Sequence, residues 1–220
     1  MTPPGRAPSE TSTTSAIDAP RSSGQSPGVS KGRLEAFSDG VIAILITIMV
    51  LELRAPQGTD WHALRPVLPA FLTYVLSFVF LGIYWNNHHH LLQATDHING
   101  RILWANLHLL FWLSLVTFVT GWMGENHFDP VPTAAYGFVL LMAAIAYTIL
   151  LRSIIAHHGP HSKLAAAVGS DMKGKVSAAL YMLAIPLALI QPVIAAGIYV
   201  CVALIWLVPD RRIESRLDRR

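Results

Sequence analysis

Three groups of polar residues interrupt segments that are otherwise apolar. The first is Phe37, Ser38, Asp39 and Gly40, with Arg33 one turn earlier; the second is the run Trp85, Asn86, Asn87, His88, His89 and His90; the third is Asn106 and His108, shortly after Arg101. A polar side chain in hydrocarbon is costly unless it finds a partner, so each is a candidate for structure or function. Carboxylate, imidazole, indole and carboxamide groups can tie helices together, pass a proton or hold a metal. Spacing separates these chemistries. Successive helical residues point about 100° apart, so His88, His89 and His90 cannot share one face. A metal site built on them would have to recruit His157, His158 and His161 from a later loop, and the pattern assigns no metal and no catalytic residue. Asp39 near a helix start is also favoured by the helix dipole alone, which leaves a purely local role open for it.

The elements that carry these residues are membrane spans. Hydrophobic residues make up 53% of the 220-residue chain and charged residues 13%, with a mean hydropathy of +0.46, too few charges for an ordinary soluble surface. The apolar residues arrive in six blocks close to the roughly 20 residues that cross a bilayer: Phe37 to Leu53, Val67 to His90, Leu103 to Met123, Ala134 to Ile155, Val176 to Ile190 and Pro192 to Val208. The last two are short and meet at Gln191 and Pro192, a junction that suits either a tight hairpin or one kinked helix. Charge favours two. With the N-terminus in the cytosol, fourteen of the sixteen Lys and Arg residues fall inside and only Arg54 and Arg65 outside, whereas an odd number of spans would carry the five C-terminal arginines across.

The expectation is an all-α integral membrane protein of six transmembrane helices, multi-pass in the cell membrane with both termini cytosolic. Residues 1–30, rich in Ser, Thr, Pro, Gly and Ala, read as a disordered cytosolic tail. Residues 31–209 form one six-helix unit, and 210–220 a basic tail suited to anionic lipid headgroups rather than nucleic acid. A single cysteine, Cys201, excludes an intrachain disulfide. On this topology the start of span one, the end of span two and the start of span three share the cytosolic level. Asp39 can therefore reach Trp85, Asn86, His88 or Asn106 without crossing the membrane, and a buried knot joining three helices follows.

In the body of the first span Thr47 is the one polar residue. Ile44, Thr47, Ile48 and Leu51 stand at i, i+3, i+4 and i+7 and form a single stripe. By itself the hydroxyl needs no more than its own helix backbone as a partner.

Arg33, Phe37, Ser38, Asp39 and Gly40, continuing as VIAILITIMVLEL, resemble the signature of the transmembrane protein 175 family, potassium channels of bacteria, archaea and animal lysosomes. The resemblance runs on through Trp85, His88, His89, Asn106 and the segment LLFWLSLVTFVTGWM. It implies a homotetramer in which four copies of the first span line a central pore, with Ile44 at the hydrophobic constriction, Ile48 and Leu51 as further pore positions, and Thr47 tied to potassium selectivity. It also implies a structural network of Ser38 and Asp39 with Trp85, His88 and Asn106, in which Arg33, Phe37 and His89 take part. Which histidine meets Asp39 stays open by one position.

The function implied is a potassium-permeable cation channel, not an enzyme, with no cofactor beyond K+ as the permeant ion. No TVGYG filter is present, so hydroxyl rings would give only modest preference for K+ over Na+, and an isoleucine ring would gate by dewetting. Two other classes remain compatible with the residues: a proton-coupled secondary transporter relaying protons through Asp39 and the histidines, and a membrane metalloenzyme using the histidines.

Overall fold

The computed structural model describes residues 30–95, 97–158 and 171–207. Its elements are α1 (Lys31–Ile48), a 3-10 extension (Met49–Glu52), a second 3-10 segment (Trp61–Val67), α2 (Leu68–Gln93), α3 (Gly100–Glu125), α4 (Pro130–His158), α5 (Met172–Ala188) and α6 (Pro192–Leu207). No strand occurs among the described residues. The chain is an all-α membrane protein, with six α-helices among the described residues. The tails expected at 1–30 and 210–220 lie outside the described residues, apart from Ser30.

Local chemistry sets the boundaries. Asn99 accepts from the amide of Ile102 at 2.9 Å and so opens α3 three residues before the apolar block begins. Pro130 and Pro192 begin α4 and α6, where a missing N–H costs nothing. Asp171, in the left-handed region at φ 43°, caps α5 through the amide of Gly174 at 3.2 Å. The start of α1 moves furthest from the hydropathic block, to Lys31 rather than Phe37. Charged residues are tolerated in a helix wherever that helix leaves the hydrocarbon, so hydropathy marks the membrane core and not the helix end.

The doubtful junction at Gln191 and Pro192 is a turn between two separate helices, with Gln191 donating its amide to the carbonyl of Leu187 at 2.7 Å. Among the described residues four segments are long and apolar enough to cross a membrane: Lys31–Glu52, Trp61–Gln93, Gly100–Glu125 and Pro130–His157. At about 1.5 Å per residue, the 17 residues of α5 and 16 of α6 reach only about 26 and 24 Å, short of a hydrocarbon core about 30 Å thick. Their packing against α4, and that of α6 against α2, supports them where lipid matching is poor.

The bundle is built around α3, which packs on α4 and α2, while α5 and α6 close the far side against α4. On the near side α1 lies against α2 and α3. A second polar node, which sequence reasoning passes over, ties the middle of this stack: Ser77 of α2 is 2.6 Å from the hydroxyl of Thr120 on α3 and 2.9 Å from that of Tyr136 on α4. Isolated Ser, Thr and Tyr residues in apolar helices carry no spacing signal, so only the fold reveals them. Close approach of α2 and α3 depends on Gly124, where an added Cβ would come within 2.7 Å of the Ala70 backbone. Gly124→Val should therefore force the helices apart and cost about 1–3 kcal/mol, read as a lower melting temperature of the solubilised protein; an unchanged melt would show that this contact is dispensable.

Candidate functional site

Helix α1 has two unlike faces. Leu34, Ser38, Ile42 and Leu45 are buried against α2 and α3, and Met49 continues that row. The opposite face is bare along its whole length: Arg33, Phe37, Gly40, Ile44, Thr47, Ile48 and Leu51 are all exposed, Ile44 by 61% and Leu51 by 76%. A Cβ placed on Gly40 would meet nothing within 4 Å. The stripe read from spacing at Ile44, Thr47, Ile48 and Leu51 is the central part of this face. Thr47 donates its hydroxyl hydrogen to the carbonyls of Ala43 and Ile44, both at 3.0 Å. That leaves the oxygen lone pairs of Thr47 free to accept or to ligate on the exposed side.

The buried face is fastened by a directed chain of hydrogen bonds. Ser38 donates to the carbonyl of Leu34 at 2.9 Å and so must accept through its lone pairs. Asn106 of α3 fills that role, donating Nδ2–H to Ser38 Oγ at 2.9 Å. Its other end, Oδ1, lies 2.6 Å from Nε2 of His88 on α2. Since Oδ1 can only accept, Nε2 of His88 carries the proton, and this fixes the tautomer. Ser38, His88 and Asn106 are all fully buried. One carboxamide thus joins α1, α2 and α3, and each of its partners is set by the next.

Asp39, one residue on and half-buried, accepts from the indole Nε1–H of Trp85 at 3.1 Å. Of the partners open to it, Asp39 takes Trp85, while Asn106 goes to its neighbour Ser38. Neither His88 nor His89 hydrogen-bonds Asp39. His89 turns instead toward Glu35, with Nδ1 3.2 Å from Glu35 Oε1, and stacks on Trp85. Glu35 is a site residue that sequence reasoning passes over; its position four residues before Asp39, on the same helical face, is the signal that was available. Two residues assigned to the network stand outside it. Arg33 and Phe37 are exposed on the bare face, because steps of four, three and four residues lead from Arg33 through Phe37 and Gly40 to Ile44 and keep them off the side of Ser38.

Among the described residues the triple histidine assembles no metal site with the later loop, of which the His158 side chain is not described. His157 accepts from Asn99 Nδ2 at 3.1 Å, joining the end of α4 to the start of α3, and His161 lies outside the described residues. At the other end of the bundle, Glu52 lies beside Gly121 and shares a recess with Glu125 and Trp122; Arg54 pairs with Glu125 at 3.1 Å on an exposed surface, where such a pair contributes little.

The chain is a multi-pass helical membrane protein whose first helix is fastened on one face by a buried polar chain and bare on the other. The family model for the endosomal/lysosomal potassium channel TMEM175 matches residues 33–116, which contain every residue of the stripe and of the polar network. A potassium channel of Chryseobacterium sp. (strain P1-3) is 57% identical over 189 residues, 86% of this chain and 98% of that one. A potassium channel of Streptomyces collinus is 35% identical over 127 residues, 54% of this chain and 62% of its own length. The crystal structure of a lysosomal potassium-selective channel TMEM175 homolog from Chamaesiphon minutus superposes with a TM-score of 0.69 at 26% identity, covering 81% of this chain and 96% of that one. The chain belongs to the TMEM175 family.

Removing the Asn106 carboxamide leaves two buried partners unpaired, each worth about 1–3 kcal/mol. Asn106→Ala should lower the melting temperature of the purified protein by several degrees, Ser38→Ala by less, and the double variant by less than their sum. Additive effects would show that the two side chains do not act as one unit.

Proposed function

We propose that this chain is a potassium-permeable channel, assembled as a homotetramer around the bare face of α1. The observation that carries the reading is that face itself: an apolar stripe interrupted once by a hydroxyl, on a helix whose other side is locked into its own subunit. The relatives named as potassium channels support the permeant ion.

In this assembly four Ile44 side chains form the constriction, which excludes water and ions when narrow and conducts when the helices tilt outward. Ile48 and Leu51 extend the apolar wall. Four Thr47 oxygens, with lone pairs left free by their backbone bonds, replace part of the ion's hydration shell. Mobile hydroxyls make weaker ligands than a ring of carbonyls, and K+ gives up water more readily than Na+, so selectivity for K+ is modest. The polar network of Ser38, Asp39, Trp85, His88 and Asn106 serves the pore by holding α1 in register. The chain is multi-pass in the cell membrane with both termini in the cytosol, where the arginines of 210–220 meet anionic lipid headgroups.

Purified protein in liposomes should pass K+ without a partner, and Ile44→Asn should raise the flux several-fold by wetting the constriction. Thr47→Ala should move the K+/Na+ permeability ratio toward one. The assembly should have a mass about four times the 24.1 kDa of the chain. Impermeable liposomes in which Ile44→Asn changes nothing, or a ratio favouring Na+, would overturn the reading.

A further inference from the structure

Where α1 crosses α2, Glu35 and Asp39 project from one face of α1, a helical turn apart, toward His89 of α2. One ligand atom from each residue lies within 4.8 Å of the other two, and all three side chains are partly buried. Among the described residues no other group of three or more His, Cys, Asp and Glu gathers in this way. Beyond the contact of His89 with Glu35, no hydrogen bond joins the three. Nδ1 of His89 is itself shielded from solvent and makes no hydrogen bond, although Glu35 Oε1 is 3.2 Å away. Two carboxylates are thus held side by side at a partly desolvated spot, where like charges repel more strongly than in water. The basic side chain one turn before Glu35 is engaged elsewhere: Lys31 donates to the carbonyl of Gln93 at 2.9 Å. Arg33 points to the bare face.

We infer that Glu35, Asp39 and His89 form a binding site for a divalent transition-metal cation that clamps α1 to α2. One imidazole and two carboxylates suit borderline ions such as Mn2+, Fe2+ or Zn2+ better than Ca2+ or Cu+. Atoms that share an ion at about 2.1 Å stand about 3–3.5 Å apart; the Glu35–His89 pair already does, and the remaining contraction lies within side-chain rotation. The surroundings orient the ligands. Trp85 holds one oxygen of Asp39 and stacks on His89 with the rings 23° from parallel, leaving the second oxygen of Asp39 for the ion. Ligation through Nδ1 leaves the imidazole proton on Nε2, which is 2.8 Å from the Gln93 amide nitrogen; a half-turn of that amide presents its oxygen as the acceptor. The site stands whether or not α1 lines a pore, and its test reads binding rather than flux.

Purified full-length protein stripped with a chelator is titrated with Mn2+ and the free ion followed by electron paramagnetic resonance. One saturable site per chain is expected, weakened about tenfold or more by Glu35→Gln and by His89→Gln, with the melting temperature of the wild type alone raised by the metal. In the wild type, spin-echo modulation should show a directly coordinated imidazole nitrogen. No saturable site, an affinity within twofold of wild type in either variant, or an all-oxygen coordination sphere would overturn the proposal.

Discussion

The carboxamide of Asn106 gives its donor to one helix and its acceptor to another, and the rest of the membrane-embedded arrangement depends on that division. In hydrocarbon no water can replace a lost partner, so a fully buried Ser38, Asn106 and His88 have a single mutually consistent set of bonds. The order is directional: His88 gives to Asn106, Asn106 to Ser38, and Ser38 to the carbonyl of Leu34. A slip of α1 by one residue would bring Phe37 or Asp39 to the carboxamide and break the chain. Register along α1 is therefore fixed by hydrogen bonding, while apolar packing of Ile42, Leu45 and Met49 fixes its distance.

That anchoring is what makes the other face of α1 informative. Exposed apolar residues are ordinary on a membrane protein, and Phe71, Leu72 and Phe78 of α2 or Phe111 and Phe118 of α3 are as bare as Ile48. Lipid covers such surfaces without demanding a pattern. The face of α1 carries Thr47 in its centre and Gly40 in an open position, and it is set apart because the opposite side of the same helix is pinned by the chain of Ser38, Asn106 and His88. The bare stripe and the polar network lie back to back on one helix, with Ile44 five residues beyond Asp39.

Much of this was legible beforehand, for physical reasons. The six apolar blocks match the six α-helices of the described residues, and the shared depth of three helix ends brings Asp39 to Trp85 and Asn106 to the same knot. The 3.6-residue period separates Ile44, Thr47, Ile48 and Leu51 from the buried row. What remained illegible has equally physical causes. Depth alone cannot assign partners within the knot, so Ser38 rather than Asp39 takes Asn106, and Arg33 and Phe37, close in sequence to the network, turn to the opposite face. Glu35 is hidden by a hydropathic boundary that puts it outside the span. The node of Ser77, Thr120 and Tyr136 has no periodic signal, because each helix contributes only one hydroxyl.

The central claim is that the unpartnered face of α1 borders an ion pathway. It is tested most directly by placing single cysteines along α1 in a Cys201→Ser background and following K+ flux from liposomes as a small cationic thiol reagent is added. Modification should alter flux at Ile44, Thr47 and Leu51 and leave it unchanged at Ile42 and Leu45, which face the subunit's own interior. Equal effects on both faces, or none on the first, would contradict the account.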